Sequence, residues 1–344
     1  MDRDGVPVNV ALLIGHSWLR ESVGHRDKYS HVTDNELQAM IPLCQQALDA
    51  GCFGISYGMR YVPGIDHREF VTTARTCVPD GRLIAAHVRD DAAGIFAAGR
   101  EFLDVARDLG LPAEVSHIGS MAAFSQMEEF LKMVDAYRLN GLDVTCDCYP
   151  YYAFSTAIGS TTYDEGWRQR YHCDYDVVQL CEGDYQGQRC TEETFEDVRR
   201  THPEYLTVCY VMKEQEVDMA LRNPGVMIGS DGILNHGQGH PRAAGAFLRV
   251  FSQFVRKGKL SLYEAIRKMT AMPAARMGLS RKGNLAAGAD ADVVIFDPDV
   301  IIDGATFENP VLPGKGISYV LIGGQVAARD CQVVQWHLGR SVRK

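Results

Sequence analysis

The sequence has no long apolar run, no run of basic residues and no C-x-x-C cysteine pair. No stretch approaches the 18 or more consecutive apolar residues that a membrane-spanning helix needs. The first four residues do not show the charged-then-apolar pattern of a secretory signal peptide. We therefore expect no membrane association and a cytoplasmic location.

The charge balance argues against nucleic acid as a partner. The formal net charge is -9, and Lys and Arg are scattered along the chain. A binding face for phosphate backbones or anionic lipid would need a concentration of positive charge. A small-molecule partner is therefore the better expectation.

Ten cysteines are present without any C-x-x-C pair, which favours reduced thiols over a disulfide framework. Cys146 and Cys148 lie two positions apart on a predicted strand, so they share one face. That spacing suits two metal ligands and equally suits two thiols in a hydrophobic core, and we favour the core.

Short apolar runs alternate with amphipathic stretches through most of the 344 residues. The predicted strands are residues 9–15, 54–56, 83–87, 113–117, 142–148, 206–211 and 226–230, and the predicted helices include 33–50, 92–109, 125–139 and 214–222. Parallel neighbours need a crossover of about a dozen residues, which is usually helical. The pattern therefore predicts an α/β protein with a parallel sheet, whose chemistry collects at the carboxyl ends of the strands.

Two segments depart from this alternation. Residues 166–202 are polar and charged with several aromatics, which predicts a long loop with short helices, either a lid or a surface insertion. From residue 283 the chain reads as short strands and turns, with Gly323-Gly324 as a hairpin turn. We therefore expect an α/β barrel over residues 1–281 and a small β appendage over residues 282–344.

Three polar residues stand at predicted strand ends. His87 and His117 each close an apolar run, one βα unit apart, and Asp231 follows the run that ends at Ile228. Two imidazoles and a carboxylate could hold zinc, and the carboxylate could also move a proton as general base and then acid. Each alone also suits a structural role, the histidines as hydrogen-bonded residues and Asp231 as a turn residue. Together they favour a metal-dependent hydrolase site.

Longer motifs add a specific resemblance. They are Ile14-Gly15-His16, Gly54-Ile55-Ser56-Tyr57-Gly58 with Tyr61-Val62-Pro63-Gly64, Ala86-His87-Val88-Arg89-Asp90, Val115-Ser116-His117, Asp147-Cys148-Tyr149-Pro150-Tyr151, Gly229-Ser230-Asp231-Gly232, His240-Pro241-Arg242, and a closing segment from Met269 to Asp292. In these motifs the chain resembles the amidohydrolase superfamily, and within it the N-acyl-D-amino-acid deacylases (D-aminoacylases). The matches extend from about residue 9 to 330.

The resemblance implies a (β/α)8-type metal-dependent hydrolase barrel and hydrolysis of N-acyl-D-amino acids to a carboxylate and a free D-amino acid. It implies zinc held by His87, His117 and Asp231, with Asp231 also as the catalytic acid-base. Tyr149, Ser155 and Arg242 match the residues that hold the substrate's carboxylate. A guanidinium can grip a carboxylate with two charge-assisted hydrogen bonds, and the hydroxyls can add donors.

The chain also departs from the family pattern. It has no His-x-His pair and no recognisable bridging cysteine, and Gly119 stands where the family has a lysine. The resemblance thus implies a barrel incomplete at its N-terminus, with one zinc ion more readily held than two. It leaves open a homo-oligomer or an N-terminal partner chain. The alternatives are a non-catalytic homologue, one subunit of a split enzyme, or a cyclic-amide hydrolase.

Overall fold

The computed structural model describes residues 3–344, which divide into two compact units. Residues 11–147 with 342–344 form the first unit, and residues 3–10 with 148–341 form the second. This division does not coincide with the boundary expected after residue 281. The expected boundary concerns where the chain changes from alternating strands and helices to β structure, and it stays a prediction.

The first unit is built from parallel strands alternating with helices. After β1 (Val10–Ala11), its strands are β2 (Ile14–Gly15), β3 (Gly54–Gly58), β4 (Leu83–His87), β5 (Ala113–Val115) and β6 (Val144–Cys148). Its helices are α1 (His16–Ser22), α2 (Asp34–Asp49), α3 (His67–Arg75), α4 (Ile95–Leu109), α5 (Gly119–Ala122) and α6 (Met127–Leu139). The five strands β2 to β6 pair in parallel with their neighbours in chain order. The predicted α/β class is confirmed.

Local chemistry explains where these elements begin and end. Thr33 and Glu36 form a reciprocal capping box that starts α2, and Gly110 ends α4 in the left-handed conformation. Gly54 opens β3 where a side chain could not fit, because an added Cβ would lie 1.7 Å from the carbonyl oxygen of Leu83. Close approach of β3 to β4 therefore requires glycine at this position.

The second unit opens with an antiparallel sheet. Its strands are β7 (Phe154–Ala157), β8 (Val178–Leu180) and β9 (Leu206–Cys209), in the order β7-β9-β8, with α7 (Trp167–Tyr171) and α8 (Glu192–Thr201) between β7 and β9. The expectation that residues 206–211 continue the parallel alternation is therefore wrong. An apolar run indicates that a strand is buried. It does not indicate whether the neighbouring strand runs parallel or antiparallel, because that depends on the path of the chain between the two strands.

Residues 166–202 are more ordered than the expected long loop. Aromatic rings pack against one another at centroid distances of 5.2–5.7 Å, among them Tyr163, Trp167, Tyr175 and Phe195. Such offset and edge-to-face contacts stabilise beyond the apolar area they bury. The aromatics noticed in the sequence are thus the core of this segment, while the predicted short helices are present.

The remaining elements of the second unit follow in chain order. They are α9 (Glu214–Arg222), β10 (Val226–Ile228), β11 (Leu234–Asn235), β12 (Gln238–Gly239), α10 (Arg242–Arg249) continued by a π-helical turn (Val250–Val255), α11 (Leu262–Met269), α12 (Ala271–Arg276), β13 (Val293–Phe296), β14 (Ile317–Ile322), β15 (Gln325–Arg329), β16 (Gln332–Val333) and β17 (Ser341–Val342). Strands β13 to β16 form a four-stranded antiparallel sheet. The expected C-terminal β structure, with its hairpin at Gly323-Gly324, is confirmed.

The cysteines and the lengths of the helices bear on two further expectations from the sequence. None of the ten cysteines, all of which lie within the described residues, forms a disulfide bond, and Cys146 and Cys148 are both buried. Burial raises the pKa of the Cys146 thiol well above its usual value, which disfavours the thiolate that a metal would bind. Within residues 3–344, no helix is both long and apolar enough to cross a membrane.

Candidate active site

The first unit brings the two predicted histidines together. His87 is the last residue of β4, and His117 follows two positions after β5, the neighbouring parallel strand. Their rings lie 4.7 Å apart between centroids, with an interplanar angle of 63°. The expected convergence of strand-end imidazoles is therefore present in the geometry of this unit.

The hydrogen bonds of His87 suit a metal ligand. Its Nε2 lies 3.1 Å from Oδ1 of Asp91, and its Nδ1 is buried without a hydrogen-bond partner among the described residues. Metal-binding histidines characteristically donate one ring N–H to a carboxylate, which fixes the tautomer and leaves the other nitrogen for the metal. Sequence reasoning missed Asp91, although a carboxylate four positions after a strand-end histidine was a usable signal.

His117 is held by its backbone as well as its ring. Its φ of 36° lies in the left-handed region, and its backbone N–H donates to Oδ1 of Asp147 at 3.0 Å. Its Nδ1 lies 3.0 Å from the Ser120 hydroxyl oxygen. A histidine with positive φ costs conformational energy, and such strain is concentrated at functional sites. The motif that begins at Asp147 does not by itself indicate this contact with the His117 backbone.

The fit of these residues to a metal ion is partial. Two adjacent imidazoles, one oriented by a carboxylate, have the donor chemistry that zinc prefers. Across residues 3–344, however, no group of three or more His, Cys, Asp or Glu side chains has an arrangement that could hold a metal ion. The pair His87 and His117 is therefore the observation on which a metal proposal depends.

The second unit brings the other four predicted residues together around a buried arginine. Arg242 is 1% exposed, and its guanidinium lies over the ring of Tyr149, 4.5 Å from the centroid. Its Nη2 is 2.8 Å from Oδ2 of Asp231 and donates to the backbone oxygen of Ser155 at 3.3 Å. The ion pair with Asp231 offsets part of the cost of burying the guanidinium.

This cluster contains donors that nothing in the described chain satisfies. Nε and Nη1 of Arg242 and the hydroxyl of Ser155 are buried without a hydrogen-bond partner. Buried polar groups are almost always paired, and an unpaired charged donor is especially costly. A small anion with two oxygens, such as a carboxylate, would satisfy these groups.

Asp231 differs from the other members of the cluster in exposure and backbone. Its side chain is 36% exposed, whereas Arg242 is almost fully buried. Its φ of 47° lies in the left-handed region, as does that of His117. Arg242 thus holds one carboxylate oxygen of Asp231, and the backbone of Asp231 is strained. Both features are expected of a residue whose orientation matters for function.

A second buried charged cluster lies in the first unit. His16, directly after β2, has Nε2 3.3 Å from Oε1 of Glu69, and Arg20 has Nη1 3.7 Å from Oε2 of Glu69. Burial raises the pKa of Glu69 to about 7, and burial together with the Arg20 charge lowers the pKa of His16 to about 3. The motif Ile14-Gly15-His16 does not indicate Glu69 as a partner, because Glu69 lies on α3, far away in the sequence.

Comparison with known proteins is consistent with this geometry. Parallel strands alternate with helices in an α/β fold, and two histidines lie at or just beyond the carboxyl ends of neighbouring strands, where barrels of this class carry their active sites. A model of the amidohydrolase family matches residues 68–328. The chain is 34% identical to N-acyl-D-glutamate deacylase and 33% identical to D-aminoacylase, both of Alcaligenes xylosoxydans xylosoxydans, over 92% and 97% of its length. It spans 66% and 70% of the lengths of these relatives.

A solved structure of a deacylase is also similar to this chain. The N-acyl-D-glutamate deacylase of Bordetella bronchiseptica, in complex with zinc and a phosphonate mimic of the tetrahedral intermediate, is 33% identical with a TM-score of 0.86. The similarity covers 98% of this chain and 72% of that one. The chain therefore belongs to the amidohydrolase family, on its D-aminoacylase branch.

Proposed function

We propose that this chain hydrolyses the amide bond of N-acyl-D-amino acids, releasing a carboxylate and a free D-amino acid with the help of a metal ion. The main supporting observation is the buried Arg242. Among the described residues, its Nε and Nη1 have no hydrogen-bond partner, and neither does the Ser155 hydroxyl. These groups suit the free carboxylate of an N-acyl amino acid. Membership of the D-aminoacylase branch supports the same substrate class.

Zinc is the metal we propose, with one ion held by His87, His117 and Asp231. The oriented imidazole of His87, with its unpartnered Nδ1, supports this assignment, as does the zinc complex of the Bordetella relative. A bound zinc ion supplies polarisation of the acyl carbonyl and a lowered pKa of a bound water. A cytoplasmic location, and assembly as a homo-oligomer or with a partner chain, belong to the same proposal.

The chain's own residues have separate roles in the proposed reaction. Asp231 takes a proton from the attacking water and returns it to the leaving amine, as a carboxylate general base and acid can. Arg242, Tyr149 and Ser155 hold the substrate carboxylate, so that the scissile amide is positioned for attack. Asp91 keeps His87 in one tautomer by accepting from Nε2.

The test is product release from N-acetyl-D-amino acids, with the L enantiomers and a dihydropyrimidine as comparison substrates. Asp231→Asn should lower kcat by about 10² to 10⁴-fold, because the amide cannot transfer the proton. The exposed Asp184→Asn is the matched control and should leave turnover unchanged.

Three outcomes would contradict the proposal. Full activity of Asp231→Asn, with folding checked by circular dichroism, would remove Asp231 from the chemistry. Turnover of the dihydropyrimidine alone would identify a cyclic-amide hydrolase. Binding of N-acyl-D-amino acids without turnover, in the presence of zinc, would identify a non-catalytic binding protein.

A further inference from the structure

His240 is a fully buried imidazole that the proposed reaction does not use. It is 0% exposed and lies two positions before Arg242, just ahead of helix α10. The edges of three aromatic rings surround it, Tyr151 at 5.0 Å, Phe307 at 5.1 Å and Tyr149 at 6.2 Å between centroids. A buried polar ring in an aromatic cage needs a reason, because its desolvation is costly unless both nitrogens are satisfied.

Both ring nitrogens have partners, and their identities fix the tautomer. The backbone N–H of Arg242 donates to Nδ1 at 3.0 Å, so Nδ1 carries no proton. Nε2 must then carry the proton of the neutral ring, and it lies 3.1 Å from the backbone oxygen of Ala153, to which it donates. Burial and the Arg242 charge lower the pKa of His240, which agrees with a neutral ring.

The two partners belong to the two segments that carry the proposed carboxylate ligands. Ala153 precedes Ser155 by two residues at the start of β7, and Arg242 is the first residue of α10. The first N–H groups of a helix have no partner within the helix, and here no side chain of Pro241 can cap them. The His240 ring therefore serves as the cap and also ties the helix to the strand.

We propose that His240 is a positioning residue, whose neutral imidazole bridges β7 and α10 and so sets the spacing between Ser155 and Arg242 for a substrate carboxylate. The inference rests on the proposed function, because it takes those two residues to be carboxylate ligands. Arg242 also donates directly to the Ser155 backbone oxygen, so the bridge and this bond together fix the guanidinium against the strand.

Two substitutions separate the halves of the bridge. In His240→Asn, the side-chain oxygen can accept from the Arg242 N–H in place of Nδ1, but the side chain is too short to reach Ala153. In His240→Gln, the side-chain amide can donate to Ala153 in place of Nε2, but no acceptor remains for Arg242. His236→Asn is the matched control, because His236 is exposed on the nearby turn and its φ of 49° is tolerated by asparagine.

The probe is the ketone analogue of N-acetyl-D-alanine, in which CH2 replaces the amide NH so that it cannot be hydrolysed, together with its primary amide. We expect both His240 variants to reduce the preference for the carboxylate over the amide by about tenfold, the effect of one hydrogen bond. The control should keep the wild-type preference. Hydrogen exchange at the Arg242 amide should be faster in His240→Gln than in the wild type.

The outcomes are distinguishable from failure of the proposed function. A wild-type protein that shows no preference for the carboxylate would overturn the proposed function and this inference with it. A wild-type preference that either variant retains in full would overturn the bridge alone. Equal loss of affinity for acid and amide would show that His240 has a structural role only. Unchanged exchange at the Arg242 amide in His240→Gln would show that the ring does not cap α10 and would overturn the bridge.

Discussion

Buried polar atoms divide the residues of this chain into two kinds. Those of His240 are satisfied within the chain, whereas Nδ1 of His87, Nε and Nη1 of Arg242 and the Ser155 hydroxyl are not. Since unsatisfied buried groups cost stability, their persistence points to ligands that complete them. The His16, Arg20 and Glu69 cluster also has buried atoms without a hydrogen bond, but its members face one another at ion-pair distances.

At this scale we predict that Glu69 makes stability depend on pH. Its folded pKa, about 7, lies above its ordinary 4.5, so the folded state retains a proton that the unfolded state loses. Its contribution to stability is fully present below pH 4.5 and is lost as the pH rises through 7. The unfolding free energy of the wild type, relative to Glu69→Gln, should therefore fall between pH 5 and pH 8.

Urea unfolding at several pH values measures this difference. His16 contributes with the opposite sign, since its depressed pKa removes stability as the pH falls below 6.5, but that contribution remains in both proteins. The exposed Glu193→Gln is the control, and its difference from the wild type should not vary over this range. A difference for Glu69→Gln that rises with pH would contradict the assignment.

At the scale of elements, the second unit depends on side chains that connect segments far apart in sequence. Lys268 on α11 is 0% exposed, and its Nζ donates to the backbone oxygens of Asn223 and, at 2.7 Å, Val226. These carbonyls lie between the end of α9 and the start of β10, the strand that leads to Asp231. The ammonium thus connects α11 to the turn before β10, where the backbone N–H of Val226 also donates to the Asn223 oxygen at 3.2 Å.

Lys268→Met should therefore lower the free energy of unfolding by about 2 kcal/mol, because it preserves the apolar stem but removes the ammonium that donates to the buried Val226 oxygen and to the Asn223 oxygen. Chemical denaturation provides the measurement. Lys257→Met, at an exposed lysine, should change stability by less than about 0.5 kcal/mol. Equal effects of the two substitutions would mean that the Lys268 ammonium contributes nothing.

At the scale of the whole molecule, metal binding should raise thermal stability. A ligand present at about 100 times its Kd stabilises the folded state by about 2.7 kcal/mol. We expect zinc to raise the Tm of the wild type by a few degrees, and elemental analysis to find about one zinc per chain.

The double variant His87→Ala, His117→Ala should lose both the bound zinc and the rise in Tm. His236→Asn and His202→Ala, at exposed histidines, serve as controls for zinc bound nonspecifically to the surface. Zinc that remains in the double variant at the wild-type level would locate the metal elsewhere and remove His87 and His117 from the proposed site.

The sequence by itself determined the element types and most of their positions. Helix α2 and strand β4 are predicted nearly to the residue, because capping and burial periodicity are local properties of the chain. The strand-end positions of His87 and His117 followed from the same periodicity. Family motifs added Tyr149, Ser155 and Arg242, whose proximity the structure shows.

Only the tertiary structure decided which groups meet. Strand β9 pairs antiparallel to β7 and β8. This pairing depends on the path of the chain between the strands, so no local sequence pattern indicates it. The partners Glu69 and Ala153 are likewise set by packing, since a contact between distant segments depends on where whole elements lie. Local sequence patterns determine whether a segment forms a helix or a strand. Packing between distant segments determines which buried polar atoms form hydrogen bonds with one another.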